Sequence, residues 1–260
     1  MNELLDNPAW SALTTAQADF AEGGARAKRY RRGVLPFAAL GVEDSAAELG
    51  VESSAASGVE GSAASGVEGS ADLGVEGSAA ELDRLIDDGE TFYLIGGLPK
   101  LTANWVLELE LPCAQMIGPE YTGDLPEVKE EIVHLGENDK MEMFGLINAV
   151  QPGYYLPDTR LLGSYFGIRV EGRLVAMAGE RMRLNGFSEL SAIATLPGHT
   201  GKGYAQQLIL HLIGRQRAAG VMPFLHVSLA NQRALRLYEH LGFRHRRDIS
   251  FFRVKKIAMQ

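Results

Sequence analysis

The stretch Leu196–Gly214, LPGHTGKGYAQQLILHLIG, decides how the chain is read. Two glycines flank a lysine, and the turn runs at once into Ala205, Leu208, Ile209, Leu212 and Ile213, spaced i, i+3, i+4, i+7 and i+8. That spacing lays the apolar residues along one face of an α-helix. A glycine turn opening a helix offers unpaired backbone N–H groups and the positive end of the helix dipole, so it suits an anion, most often a phosphate. Two nucleotide-binding patterns fail at this point. A Walker A loop needs Ser or Thr after the lysine and a further glycine five positions before the Gly-Lys pair, where Gly203 and Leu196 stand. A dinucleotide fingerprint needs a third small residue where Gln206 stands. The residues therefore point away from ATP and NAD.

Upstream, SYFGIRV, RLVAMAGERMRL and FSELSAIATL read as three antiparallel strands joined at Glu171-Gly172 and Asn185-Gly186, a meander that delivers the chain to the glycine turn. Downstream, MPFLHVSL reads as a buried strand. ANQRALRLYEHLGF then gives a second helix, with Ala234, Leu237, Tyr238 and Leu241 aligned and Gly242 at its C-cap. RHRRDISFFRVKKI supplies one or two closing strands. Before the meander, EEIVHLG reads as a short strand, and Asn138 or Asp139 caps a helix carrying Met143, Leu146, Ile147 and Val150 on one face.

The chain has 260 residues, 46% of them apolar, and a net charge of -8. The charge is uneven: residues 41–90 hold 13 Asp or Glu and one Arg. There Gly-Val recurs at 50, 58, 66 and 74 with an eight-residue period. One valine per eight residues builds no packed face, so residues 41–81 are expected to be a flexible acidic insertion. It interrupts a small N-terminal subdomain, residues 1–40 and 82–128, whose second part contains the strand-like runs ETFYLIGG and NWVLELELPCAQMIG. The remaining domain is residues 129–260. The run ARAKRYRRG, with Arg26, Lys28, Arg29, Arg31 and Arg32, is read as a solvated face rather than a nucleic-acid site. Trp10 and Trp105 are expected in the core or at an interface. A single cysteine, Cys113, excludes an internal disulfide and a multi-cysteine metal site, and it reads as a small buried hydrophobe. With no signal-like or bilayer-length apolar run, a cytoplasmic location and no membrane partner are expected.

Strand, PGHTGKGYA, helix, strand, Asn, helix and LYEHLGF in that order strongly resemble the GNAT superfamily of N-acetyltransferases over about residues 130–260. The resemblance implies an α/β (α+β) fold: a mixed, mostly antiparallel central sheet flanked by helices, in which the strands ending near Thr195 and starting near Phe224 run parallel and splay apart. It implies acetyl-CoA as co-substrate, no metal, and direct transfer to a primary amine of an acceptor, small molecule or peptide, that the sequence does not identify. The family's glycine-loop pattern lands on Thr200, Gly203 and Ala205; Thr200 departs from the preferred Gln or Arg. Thr200, Gly201, Lys202, Gly203, Tyr204 and Ala205 would cradle the pyrophosphate, with His199 nearby. Ile193, Ala194 and Thr195 would pair with pantetheine, and Asn231 would touch its arm or simply cap the helix.

The chemistry needs a neutral amine and a proton for the departing thiolate. At neutral pH a lysine-like amine costs roughly 4 to 5 kcal/mol to deprotonate and an α-amine only about 1, so the need for a base depends on the acceptor. By resemblance Tyr238 is the acid and Glu189 the base, with Glu180 the alternative; both glutamates also read as ordinary strand carboxylates. His226 reads as an interior or cleft histidine. Tyr154, Tyr155 and Asp158 are candidates for shaping an amine pocket. The competing reading is a non-catalytic acyl-CoA sensor or interaction module.

Overall fold

The computed structural model describes residues 3–41, 72–119 and 129–258. The octapeptide repeat falls mostly at residues 42–71, outside the described residues. Its last copy is not linker: a helix runs over Asp72–Leu85, and Ser78, Ala79 and Leu82 are buried. The segment expected at 41–81 therefore ends at a packed element, because Ala79, Leu82 and Ile86 supply the helical apolar face that the earlier copies lack.

In chain order the described elements are α1 (Pro8–Thr14), β1 (Ala21–Gly23), β2 (Ala27–Tyr30), β3 (Ala38–Leu40), α2 (Asp72–Leu85), β4 (Thr91–Ile95), β5 (Trp105–Ile117), β6 (Val133–Leu135), α3 (Lys140–Val150), β7 (Tyr165–Val170), β8 (Arg173–Leu184), β9 (Phe187–Thr195), α4 (Tyr204–Ala218), β10 (Met222–Ser228), α5 (Gln232–His240) and β11 (Arg244–Lys256). Strands β1, β2 and β3 form a small antiparallel sheet. The others form an eight-stranded sheet ordered β4-β11-β5-β10-β9-β8-β7-β6. Every neighbouring pair in it is antiparallel except β9 and β10. This is the mixed, mostly antiparallel sheet flanked by helices that the sequence implied.

The boundary drawn at residues 128/129 does not separate two sheets. Strand β5 lies between β10 and β11, pairing Phe224 with Ile117 and Ile249 with Cys113, so the segment assigned to the N-terminal subdomain completes the C-terminal sheet. The apolar core crosses the same line: Leu5, Ala9, Leu13, Tyr30 and Phe37 pack in one cluster with Met182, Phe187, Phe224 and Phe251. Trp105 is buried in a second cluster with Phe92 and Val254, its indole N–H donating to Asp83 at 2.8 Å.

Part of the basic run is paired within the fold. Arg29 is buried and donates to both carboxylate oxygens of Glu90, at 2.9 and 2.5 Å. Arg32 pairs with Asp87 at 2.7 Å, and Arg31 lies over the Phe20 ring. Arg29 and Arg32 are thus committed to carboxylates of the same fold.

Candidate active site

Strands β9 and β10 create the site by parting. They pair in parallel at Met222 with Phe187, Pro223 with Ser188 and Phe224 with Glu189, and the ladder ends there. β9 continues to Thr195 and β10 to Ser228. The β9 edge facing β10 beyond Glu189 thus has no strand partner, and a cavity of about 580 Å³ occupies the wedge. Leu190 to Thr195 line one side, and His226, Val227 and Ser228 line the other.

β9 also carries a bulge. Met177 pairs with Ala194 and Gly179 with Ser191, so Ala192 and Ile193 together oppose Ala178. Ala192 has a φ of 50°, the left-handed region that a non-glycine residue seldom adopts. The bulge turns the local backbone within the stretch that lines the cavity. No Gly or Pro in SELSAIAT announces it.

The glycine turn closes the open end of the wedge. Gly201 and Gly203 both have a φ of 81°, and Gly203 is the N-cap of α4. A side chain would meet almost nothing at either position, so glycine is required there for its left-handed backbone rather than for space. Thr200, Gly201, Gly203, Tyr204 and Ala205 line the cavity, as do Ile193, Ala194, Thr195 and Asn231. Lys202 does not; its ammonium lies 6.0 Å from the Tyr204 ring centroid. The Asn231 side chain accepts from the Ala234 N–H at 3.1 Å, so the residue both caps α5 and lines the cavity.

Tyr238 is held by the end of α5. Phe243 N–H donates to the Tyr238 carbonyl and Gly242 N–H to that of Glu239, both at 2.9 Å, with Gly242 at a φ of 84°. This is a Schellman motif, and its apolar clasp is the Tyr238–Phe243 ring pair, 5.9 Å between centroids. Tyr238 lines the cavity, and its phenol makes no hydrogen bond to a described residue. Burial pushes its pKa up, so the phenol stays protonated throughout the neutral range.

The two glutamates are elsewhere. Glu189 is fully buried and does not line the cavity. Arg181 donates to it twice, from Nε at 2.8 Å and Nη2 at 2.6 Å, and His226 Nδ1 lies 2.8 Å from Oε1. Burial alone would raise its pKa, but the Arg181 charge and hydrogen bonds outweigh that, with His226 adding to them, and hold it down to about 2. The other nitrogen of His226 faces Gln115 Nε2 at 3.0 Å, so both ring nitrogens are engaged. Glu180 is likewise absent from the lining. It accepts from Ser164 N–H, Ser188 Oγ and Gln216 Nε2. Of the pocket candidates Tyr154 and Tyr155 line the cavity, whereas Asp158 accepts from Lys140 at 2.6 Å. Arg181 is the lining residue that sequence reasoning missed. Its alternating position in RMRL carried no sign that one arginine of the pair turns inward.

Cys113 also lines the cavity, and burial pushes its thiol up to about 12. A thiolate fraction on the order of a thousandfold below that of free cysteine at pH 8 follows. Native protein should therefore resist iodoacetamide, and the urea-unfolded chain should react at the ordinary rate. Rapid alkylation of the native protein would contradict the buried assignment. Among the described residues no group of His, Cys, Asp or Glu is arranged to hold a metal, and no helix is long and apolar enough to cross a membrane.

The family described as FR47-like protein matches residues 165–252, from β7 through most of β11. A solved structure from Novosphingobium aromaticivorans DSM 12444, assigned to the GNAT family of acetyltransferases, is 30% identical; the alignment covers 98% of this chain and 99% of that one, with a TM-score of 0.77. The ribosomal-protein-S18-alanine N-acetyltransferase of Escherichia coli is 23% identical over 50% of this chain and 95% of its own, with a TM-score of 0.41. An acetyltransferase of Bacillus subtilis solved in complex with CoA is 18% identical over 50% of this chain and all of its own, with a TM-score of 0.41. No curated protein matches the sequence.

Proposed function

The chain belongs to the GNAT family of acetyltransferases, and from that premise we propose that it transfers an acetyl group from acetyl-CoA directly to an amine, without a covalent enzyme intermediate. The observation that carries the reading is the parting of β9 and β10 after Glu189 and Phe224, which leaves an unpaired strand edge over a cavity with a glycine turn at its mouth. An extended pantetheine arm has amides that suit such an edge. A pyrophosphate suits the backbone N–H groups of Thr200 to Ala205 at the start of α4. The missing Gln or Arg at Thr200 removes one side-chain contact and leaves those backbone donors in place.

In the proposed reaction the amine nitrogen attacks the thioester carbonyl carbon. The oxyanion that forms is held by backbone N–H on the Leu190–Thr195 edge, where the Ala192 bulge turns the chain. The C–S bond then breaks as Tyr238 gives its phenolic proton to the sulfur; the nitrogen loses its proton to water, and solvent returns a proton to the Tyr238 phenolate. Glu189 is assigned a supporting role. An anion closed behind Arg181 and His226, with a pKa near 2, is a weak proton acceptor and a firm anchor for both. The amine must then arrive largely neutral, which favours acceptors of low amine pKa and predicts a rate that rises with pH through that pKa.

The test is to incubate the full chain with acetyl-CoA and a panel of amines and to follow free thiol. Amine-dependent thiol release is expected. Stabilisation of the fold by acetyl-CoA with no release from any amine would instead favour a non-catalytic acyl-CoA sensor.

A further inference from the structure

The apex of the wedge presents hydrogen-bond donors to the cavity, with the Glu189 anion closed behind them. Arg181 is bonded to Glu189 at the last paired rung of β9 with β10, about 20 Å along the strand from Thr195 at roughly 3.3 Å per residue. The glycine turn is at the opposite, open end. Arg181 Nε and Nη2 are committed to Glu189, and Nη1 has no partner among the described residues. The guanidinium is packed against Phe37, 4.8 Å from the ring centroid, and Phe251 at 5.9 Å, so its plane is fixed. Tyr154 also packs on Phe251, with centroids 6.4 Å apart. Neither the Tyr154 nor the Tyr155 phenol bonds to a described residue, and that of Tyr155 is buried.

Among the described residues no Asp or Glu lines the cavity, whereas Arg181 and Arg233 do. Glu189, Glu180 and Asp158, the carboxylates that sequence placed nearby, are all consumed by protein partners. A long cationic side chain or a polyamine is normally held by carboxylates, and here it would meet an arginine with an open donor. An acceptor with its own carboxylate meets the opposite: a fixed guanidinium edge and unpartnered hydroxyls, which leave polar groups unsatisfied unless an oxygen ligand fills the site. Leu111, Ile147 and Phe251 add apolar lining to the cavity, beside Cys113 and His226.

We propose that the acceptor is a small α-amino acid with an apolar side chain, its carboxylate bound by Arg181 Nη1 and the Tyr154 hydroxyl and its amine facing the Leu190–Thr195 edge. The inference rests on the acyl-transfer reading above and narrows its acceptor.

The test compares matched acceptors on the full chain. Phenylalanine and leucine are set against phenethylamine, isoamylamine, phenylalaninamide and spermidine, with acetyl-CoA as donor. The amino acids should show kcat/KM at least tenfold above their decarboxylated and amide counterparts. Tyr154→Phe should raise KM for phenylalanine severalfold and leave that for phenethylamine unchanged. A second readout needs no turnover: calorimetric titration of the CoA-loaded protein with 3-phenylpropanoate and with 3-phenylpropylamine, the acid binding at least tenfold more tightly. Phenethylamine or spermidine equalling phenylalanine, or the two probes binding alike, overturns the proposal. Acetylation without discrimination removes this pocket assignment and leaves the transfer reading standing. Selective binding of the acid with no acetylation of any amine does the reverse.

Discussion

A Tyr238→Phe protein is expected to bind CoA as tightly as the parent and to turn over about a hundredfold or more slowly, the range that loss of a positioned proton donor produces. The fold should be nearly unaffected. The phenol has no protein partner to strand, and the ring contacts with Phe243 remain. The thiolate then leaves without protonation, so the deficit should shrink with an acyl donor whose thiol has a lower pKa. Measuring kcat, KM and CoA affinity separates these effects. Undiminished turnover would remove the acid assignment. A fall in CoA affinity with kcat unchanged would make Tyr238 a binding residue instead.

Glu189→Gln should act on the fold before it acts on the chemistry. Arg181 would keep its buried charge and lose its counter-charge, a change that typically costs about 3 to 5 kcal/mol. The sign with pH follows from the depressed pKa of Glu189. The stabilisation is complete above the unfolded-state pKa of about 4.3 and is lost as the pH falls toward about 2, because the unfolded chain takes up the proton first. Urea unfolding of the parent at pH 7 and pH 3 should show this loss, and the Glu189→Gln protein should show less of it. Replacing both partners, Arg181→Met with Glu189→Leu, should recover much of the stability, since an apolar pair leaves no charge stranded. If Glu189 is instead the general base, the Glu189→Gln protein would stay folded, lose rate, and lose the acidic limb of its pH–rate profile.

What sequence could read here was local. The glycine turn, the apolar face of α4, the meander and the Gly242 cap are each set by neighbours within a few residues, and all are found. The place of β5 was not readable. Its ladder with β11 joins residues more than a hundred positions apart, and a period-two pattern in LELELPCAQMI says that a strand forms, not which strand lies beside it. Glu189 fails for a related reason. In NGFSEL it looks like a hairpin-end carboxylate, and only the folded arrangement brings Arg181 and His226 onto it. The Ala192 bulge and the inward turn of Arg181 likewise depend on register rather than residue type. The packed helix at Asp72–Leu85 shows composition misleading in the other direction. Low-complexity sequence folds where Ala79, Leu82 and Ile86 meet an apolar surface.

If the wedge between β9 and β10 hands an acyl group straight from coenzyme A to an amine, donor, acceptor and enzyme must all balance in one reaction. The most direct measurement is mass analysis of a mixture of the full chain, acetyl-CoA and amino acids, reading product, cofactor and intact protein together. One N-acetyl amine is expected for each CoA thiol released, with the protein mass unchanged. Acetyl-CoA left intact in the presence of every amine, or protein carrying the acetyl group at the site, would contradict direct transfer.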